Sequence, residues 1–135
     1  MKNKVLVCIT IQENSRRLIT EGFNLAESLN ASLHILHIRK GRTIFDNSES
    51  SKLLEKLFTY GSELGGEIHF LCSENIPQTI SSFISTNQIT EVIIGQAPEE
   101  DLASMQPTIY NKLTNNLSHV HVTVIPRDTV EKLDA

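Results

Sequence analysis

Residues 5–38 read VLVCITIQENSRRLITEGFNLAESLNASLHILHI, and this stretch decides the fold. It opens within a strand, Lys4 to Ile9, that is continuously apolar from Val5 on, which is what a strand covered on both faces requires. The period then changes. Leu18, Gly22, Leu25 and Leu29 fall on one face at helical spacing, with Ile19, Phe23 and Ala26 beside them, so Ser15 to Leu29 reads as a helix. Asn14 or Ser15 supplies its N-cap. Leu33 to Ile38 reads as a second strand. A strand, a helix and a strand within 34 residues form one βαβ unit.

The same alternation continues downstream. A polar stretch, Lys40 to Ser48, precedes a second helix marked by Leu53, Leu54, Leu57, Phe58, Gly61 and Leu64, and Gly65-Gly66 stops it. Ile68 to Cys72 reads as a third strand. Ile76, Ile80, Phe83 and Ile84 mark a third helix, with Pro77 tolerated in its first turn. Thr90 to Ile94 is a fourth strand, closed by Gly95. Ile109, Leu113 and Leu117 mark a fourth helix after Pro107. Val120 to Ile125 is a fifth strand, stopped by Pro126. Five strands alternating with four helices predict an α/β domain, a parallel sheet with helices on both faces. The domain is expected over residues 1–126, with a polar tail over 127–135.

Composition narrows the function. At 135 residues the chain has the size of one domain, and 39% hydrophobic residues suffice for a core without disulfide staples. With aromatics at 5% and no Trp, that core must be aliphatic. The net charge is -4 and the 12 Lys and Arg are scattered, so no cationic face exists for nucleic acid. No apolar stretch approaches a membrane span, and the apolar run after Lys2 and Lys4 is too short for a signal peptide. A cytoplasmic protein is expected. Cys8 and Cys72 make no disulfide framework. Cys8, mid-strand, reads as a buried, inert core residue.

Ligands of an open parallel sheet sit beyond the carboxyl ends of the strands, where strand order reverses. The candidate loops are therefore Thr10-Ile11-Gln12-Glu13, Arg39-Lys40-Gly41-Arg42, Ser73-Glu74-Asn75 and Gly95-Gln96-Ala97-Pro98, with the start of the last helix. Several enzyme classes lack their residues. There is no G-x-x-x-x-G-K-[ST], no G-x-G-x-x-G and no G-x-S-x-G. No acidic cluster of a receiver domain follows the first strand. No Cys/His pair has metal-ligand spacing, so no metal is expected. His34 and His37 lie on opposite faces of the second strand, His69 is on the third, and His119 and His121 are at the fifth. All five are read as structural or surface residues that do not converge.

These pieces together resemble a known family. VLVCITIQENS, then a helix ending NLAESLNASLHILHI, then QITEVIIGQ and PTIYNKLTNNLSHVHVTVIP, are similar in order and spacing to universal stress protein domains across nearly the whole chain. Within that family, Val7-Cys8-Ile9-Thr10, Asn87 to Gly95 and Val120 to Val124 most resemble the stress-protein domain of potassium-responsive sensor histidine kinases.

The resemblance implies a three-layer α/β/α sandwich of adenine nucleotide alpha-hydrolase-like type, with sheet order 3-2-1-4-5 and a cleft above the first and fourth strands. Nucleotide-binding members place an Asp after the first strand and a G-x-x-G-x(8 or 9)-G-[ST] segment after the fourth. Here the Asp position is Thr10, the first glycine is Gly95, the next two fall on Pro98 and Pro107, and Thr108 holds the hydroxyl position. Proline offers no N–H to a phosphate. The expectation is thus a non-catalytic stress or signalling domain with a degenerate ATP site. Its cleft is lined by Thr10, Ile11, Ile38, Gly95 and Thr108, with Arg39, Lys40 and Arg42 opposite. Its ligand, if any, is ATP, AMP or a cyclic dinucleotide, weakly held. A pure interaction module with a vestigial cleft and a nucleotide-transforming enzyme are the alternatives. A homodimer is expected through the edge strand, by Val120, Val122, Thr123 and Val124, and a signalling protein is a further candidate partner.

Overall fold

In the computed structural model, residues 3–10, 15–40, 48–95 and 120–126 are described. Five parallel strands form one sheet: β1 (Lys4–Cys8), β2 (Ser32–Lys40), β3 (Glu67–Ser73), β4 (Glu91–Gly95) and β5 (His121–Ile125). Three helices connect them among the described residues: α1 (Ser15–Leu29), α2 (Ser48–Glu63) and α3 (Ile76–Asn87). The sheet order is β3-β2-β1-β4-β5, as expected, so the order reverses between β1 and β4. The expected fourth helix, at Ile109, Leu113 and Leu117, and the tail over 127–135 lie outside the described residues.

Period-two geometry splits the core into two layers. Val5, Val7 and Ile9 of β1, Leu33 and Ile35 of β2 and Ile93 of β4 pack against α1 and α2 through Leu18, Ile19, Leu54 and Leu57. Leu6, Leu36, Ile38, Val92 and Ile94 face the other way and pack against Ile80 and Ile84 of α3. Val5, Leu6, Val7, Ile35 and Val92 are inaccessible to solvent, so the inner strands are apolar on both faces because both faces are covered. Each such side chain contributes about 1.5–3 kcal/mol by leaving water.

The helix ends repeat one device. Gly65 takes φ +88°, and Gly66 N–H donates to the Gly61 carbonyl at 3.0 Å, closing α2. Asn30 (φ 54°) and Gln88 (φ 58°) close α1 and α3 in the same left-handed conformation, with Ala31 N–H on Ala26 O at 2.8 Å and Ile89 N–H on Ile84 O at 3.0 Å. At the start of α3, the Asn75 side chain accepts from Gln78 N–H at 3.2 Å, and Pro77 sits where an N–H has no partner in the helix. β2 runs two residues past Ile38, because Arg39 and Lys40 still pair with Cys72 and Ser73 of β3. That extension comes from the neighbouring strand, not from local hydropathy.

Cys8 differs in part from the expectation. It is half-buried beside the α3 layer, not fully enclosed. Burial of its thiol nevertheless pushes the pKa up to about 12. The thiolate is the reactive species, so at pH 8 only about one molecule in 10⁴ carries it there. Cys72 is exposed at the end of β3. Native protein treated with a thiol reagent is expected to show one fast-reacting cysteine, removed by Cys72→Ser, with Cys8 modified only on unfolding. A second fast phase in Cys72→Ser is the contrary result.

Candidate functional site at the carboxyl edge of the sheet

β1 and β4 end side by side. Their pairing runs through Val5–Glu91, Leu6–Val92 and Val7–Ile93, so two residues on, Ile9 lies beside Gly95. Ile9 N–H still donates to Leu36 O of β2 at 2.9 Å, and Thr10 follows as the first exposed residue of the loop. The sheet thus brings Thr10 and Gly95 together at the point where strand order reverses, the position that α/β sheets use for ligands. Ile38 is close by on β2, but it is buried in the α3 layer with Leu36, Ile80 and Ile84. It floors the site more than it lines it. Ile11, Thr108, Pro98, Pro107 and Arg42 lie outside the described residues, as does the Lys40 side chain.

The loop after β1 is tied down by Ser15, the first residue of α1. Its hydroxyl donates to Thr10 O at 2.7 Å and accepts from Thr10 N–H at 3.2 Å. Both backbone groups of Thr10 are therefore consumed within the protein, and the Thr10 hydroxyl also lies 3.5 Å from Ser15 Oγ. Ser15 is almost completely buried. The sequence marks it as a cap, but the structure makes it the clasp of the candidate loop.

His37 supports the same corner from below. Its Nδ1–H donates to Ile9 O at 2.9 Å, and its ring stacks on Phe70 with centroids 5.7 Å apart. Burial holds its pKa below the ordinary imidazole value; the hydrogen bond to Ile9 opposes this and Arg39 adds to it. His37 is thus a satisfied core histidine that fixes the carbonyl leading into Thr10.

Gly95 is exposed, and its φ is not positive. Among the described residues, a Cβ there meets Leu18 alone, Cδ1 at 3.4 Å and Cδ2 at 3.9 Å, which is ordinary contact. Among the described residues, neither the space around it nor its own backbone conformation requires glycine at this position. A bare backbone at the mouth of the site lets a ligand approach main-chain groups directly.

Of the remaining histidines, His34 and His69 are placed differently from the expectation. His121 pairs with Glu91 at 3.0 Å on the surface, and His119 lies outside the described residues. His34 and His69, read as separate, converge: His34 Nδ1 is 3.4 Å from His69 Nε2. The signal was the Glu67-Ile68-His69 alternation, which puts two ligand-type residues on one face of the strand that pairs with His34.

No family model matches the chain. Among curated proteins, the sensor protein KdpD of Clostridium acetobutylicum is 24% identical over 130 residues, covering 94% of this chain and 14% of that protein. The chain therefore spans only a small part of that relative's length. Among solved structures, a universal stress protein in complex with cAMP superposes with a TM-score of 0.70 at 13% identity, covering 94% of this chain and 98% of that one. A universal stress protein from Archaeoglobus fulgidus in complex with dAMP gives a TM-score of 0.63 at 16% identity, covering 93% and 98%. Among the described residues, no helix is long and apolar enough to cross a membrane. The resemblance read in the sequence thus holds in three dimensions, and the chain carries the fold of the universal stress proteins over nearly its whole length, with a KdpD sensor protein among its sequence relatives.

Proposed function

We propose that the chain is a non-catalytic stress or signalling domain of the cytoplasm that binds an adenine nucleotide at the carboxyl ends of β1 and β4. The observation that carries this reading is Gly95: a glycine at the reversal point of the sheet that no contact among the described residues requires. Two structures of the same fold with cAMP and dAMP support the ligand class. The site is poor in phosphate donors. Ser15 occupies both backbone groups of Thr10, and the sequence puts Pro98 and Pro107 where the related cradle has glycines. Each lost charged hydrogen bond removes about 1.5–3 kcal/mol of gross interaction. The nucleoside end of the ligand therefore dominates recognition, and a triphosphate gains little over a monophosphate. No nucleophile with an adjacent base stands among the described residues of the site, which favours sensing over turnover. Ligand occupancy would be read out by a signalling partner, by analogy with a sensor protein.

Calorimetry and thermal shift against AMP, cAMP, a cyclic dinucleotide and ATP with Mg²⁺ test this. A ligand that binds only the native state raises the melting temperature with dose. AMP or cAMP is expected to do so. ATP with Mg²⁺ is expected to bind no tighter than about 100 µM, roughly -5.5 kcal/mol. Gly95→Ala is expected to weaken binding while keeping stability within about 0.5 kcal/mol. Low-micromolar ATP binding overturns the degenerate site. No response to any nucleotide leaves the interaction module with a vestigial cleft, which the Ser15 clasp also favours.

A further inference from the structure

We propose that His34, Glu67 and His69 form a binding site for a divalent transition-metal ion of the zinc type, at the opposite end of the sheet from the nucleotide site. The placement follows from register. His34 pairs with Glu67 across β2 and β3, and Leu36 pairs with His69. Glu67 and His69 are two apart on β3, so all three side chains emerge on the α3 face.

The distances suit a metal. His34 Nδ1 lies 3.4 Å from His69 Nε2 and 3.5 Å from Glu67 Oε1, and His69 Nε2 lies 3.7 Å from Glu67 Oε2. Tetrahedral zinc with bonds of about 2.1 Å has ligand–ligand edges of about 3.4 Å. Two imidazole nitrogens at that separation make a poor hydrogen bond to each other, since N–H donors prefer about 2.9–3.0 Å. Two histidines and one carboxylate form the ligand set of a zinc site that keeps its fourth position open.

The surroundings are those of a supported site. His34 Nε2 is 3.0 Å from Ser32 Oγ; with Nε2–H donating there, Nδ1 turns its lone pair toward Glu67 and His69. Phe83 of α3 packs its ring edgewise against His69, centroids 4.7 Å apart, and fixes that imidazole. Lys4, whose charge reaches His34, is anchored on Asn87 O at 3.0 Å. The two histidine side chains are mostly enclosed, at 11% and 20% exposure, whereas Glu67 is 66% exposed and opens the way in from solvent. Four residues of β2 separate His34 from Ile38, about 13 Å, so the metal and the nucleotide do not share ligands.

The test uses the full chain without an affinity tag, stripped of metal, in a Cys72→Ser background that removes the exposed thiol. Co²⁺ is titrated and followed by its visible absorption, and Zn²⁺ is then added in competition. One Co²⁺ per chain with the intense bands of four-coordinate cobalt, displaced by Zn²⁺, is expected. His69→Gln and Glu67→Gln are expected to weaken binding by more than about 10-fold, and Ser32→Ala by about 10-fold. His121→Gln leaves affinity unchanged. The unfolding midpoint in chelator shows that each variant folds, and the exposure of Glu67 makes Glu67→Gln the variant least able to disturb the core. Absence of saturable one-to-one binding overturns the site. So does binding that survives both Glu67→Gln and His69→Gln.

Discussion

Replacing Gly22 by valine is expected to cost about 3 kcal/mol of stability and to lower the melting temperature by about 10 °C. Gly22 lies in the middle of α1, where glycine is worse than alanine by about 1 kcal/mol on propensity alone. It is buried and faces β1. A Cβ built there runs into Val7 Cγ2 and comes within 3.4 Å of Leu33 Cδ1. Val7 cannot give way. It is inaccessible to solvent, it is β-branched and stiff at χ1, and its strand is held between β2 and β4. The helix must therefore lift off the sheet or the strand must bend, and both open voids in a layer that holds Ile19, Ile35 and Ile93. Gly61 on α2 makes the useful contrast. Its closest obstruction is Ile35 Cδ1, the far end of a flexible side chain, with Ile68 Cδ1 at 3.5 Å. Gly61→Ala gains helix propensity and can be absorbed by one rotation of Ile35, so it should lie near neutrality. Chemical denaturation of both variants checks the pair. A Gly22→Val protein as stable as its parent would mean that α1 does not sit on β1 as described.

Gly22 also shows what was legible in the sequence. It appears there only as one member of a helical face, and its packing role emerges once α1 is laid on a particular strand. The elements themselves were legible because their periods differ. Lys4–Ile9 and Leu33–Ile38 read as strands for want of helical spacing, and Ser15–Leu29 came out with the same bounds in the structure. Strand ends set by a neighbour were less so, as at Arg39 and Lys40, whose polar side chains hide a pairing with β3. Helix ends at Asn30 and Gln88 carry no glycine to announce their left-handed turn.

The carboxyl edge of the sheet followed from topology, and the β1–β4 register places Thr10 and Gly95 at that edge. Ser15 as a clasp was not legible, because its partners, the N–H and C=O of Thr10, have no side-chain signature. The convergence of His34 with His69 was missed for a similar reason. It depends on the β2–β3 register, which a single sequence does not print, although the Glu67-x-His69 alternation was visible.

In solution at micromolar concentration, light scattering should give twice the 15.1 kDa of one chain. β5 stands at one edge of the sheet, beside β4 alone. His121 N–H donates to Thr90 O at 3.0 Å, so the main-chain groups of His121, Thr123 and Ile125 point inward to β4. Those of Val122 and Val124 point outward, and among the described residues no strand pairs with them. An edge of this kind is strongly β-forming and templates another strand unless it carries Lys, Pro or a bulge, and residues 120–125 carry none of the first two. Antiparallel pairing of two copies about a two-fold axis near Val122 or Thr123 satisfies these groups with closed symmetry. The register also selects the variant. Thr123→Pro removes an inward N–H and breaks the β4–β5 ladder. Val122→Lys puts a charge where Val122 packs against the α3 layer. Val124 is 37% exposed and its N–H points outward, so Val124→Pro removes a group that matters only to the second copy. Val124→Pro should halve the mass and keep the far-ultraviolet circular dichroism of the parent. A parent mass of one chain at every concentration rules the dimer out, and a Val124→Pro protein that stays doubled moves the interface away from β5.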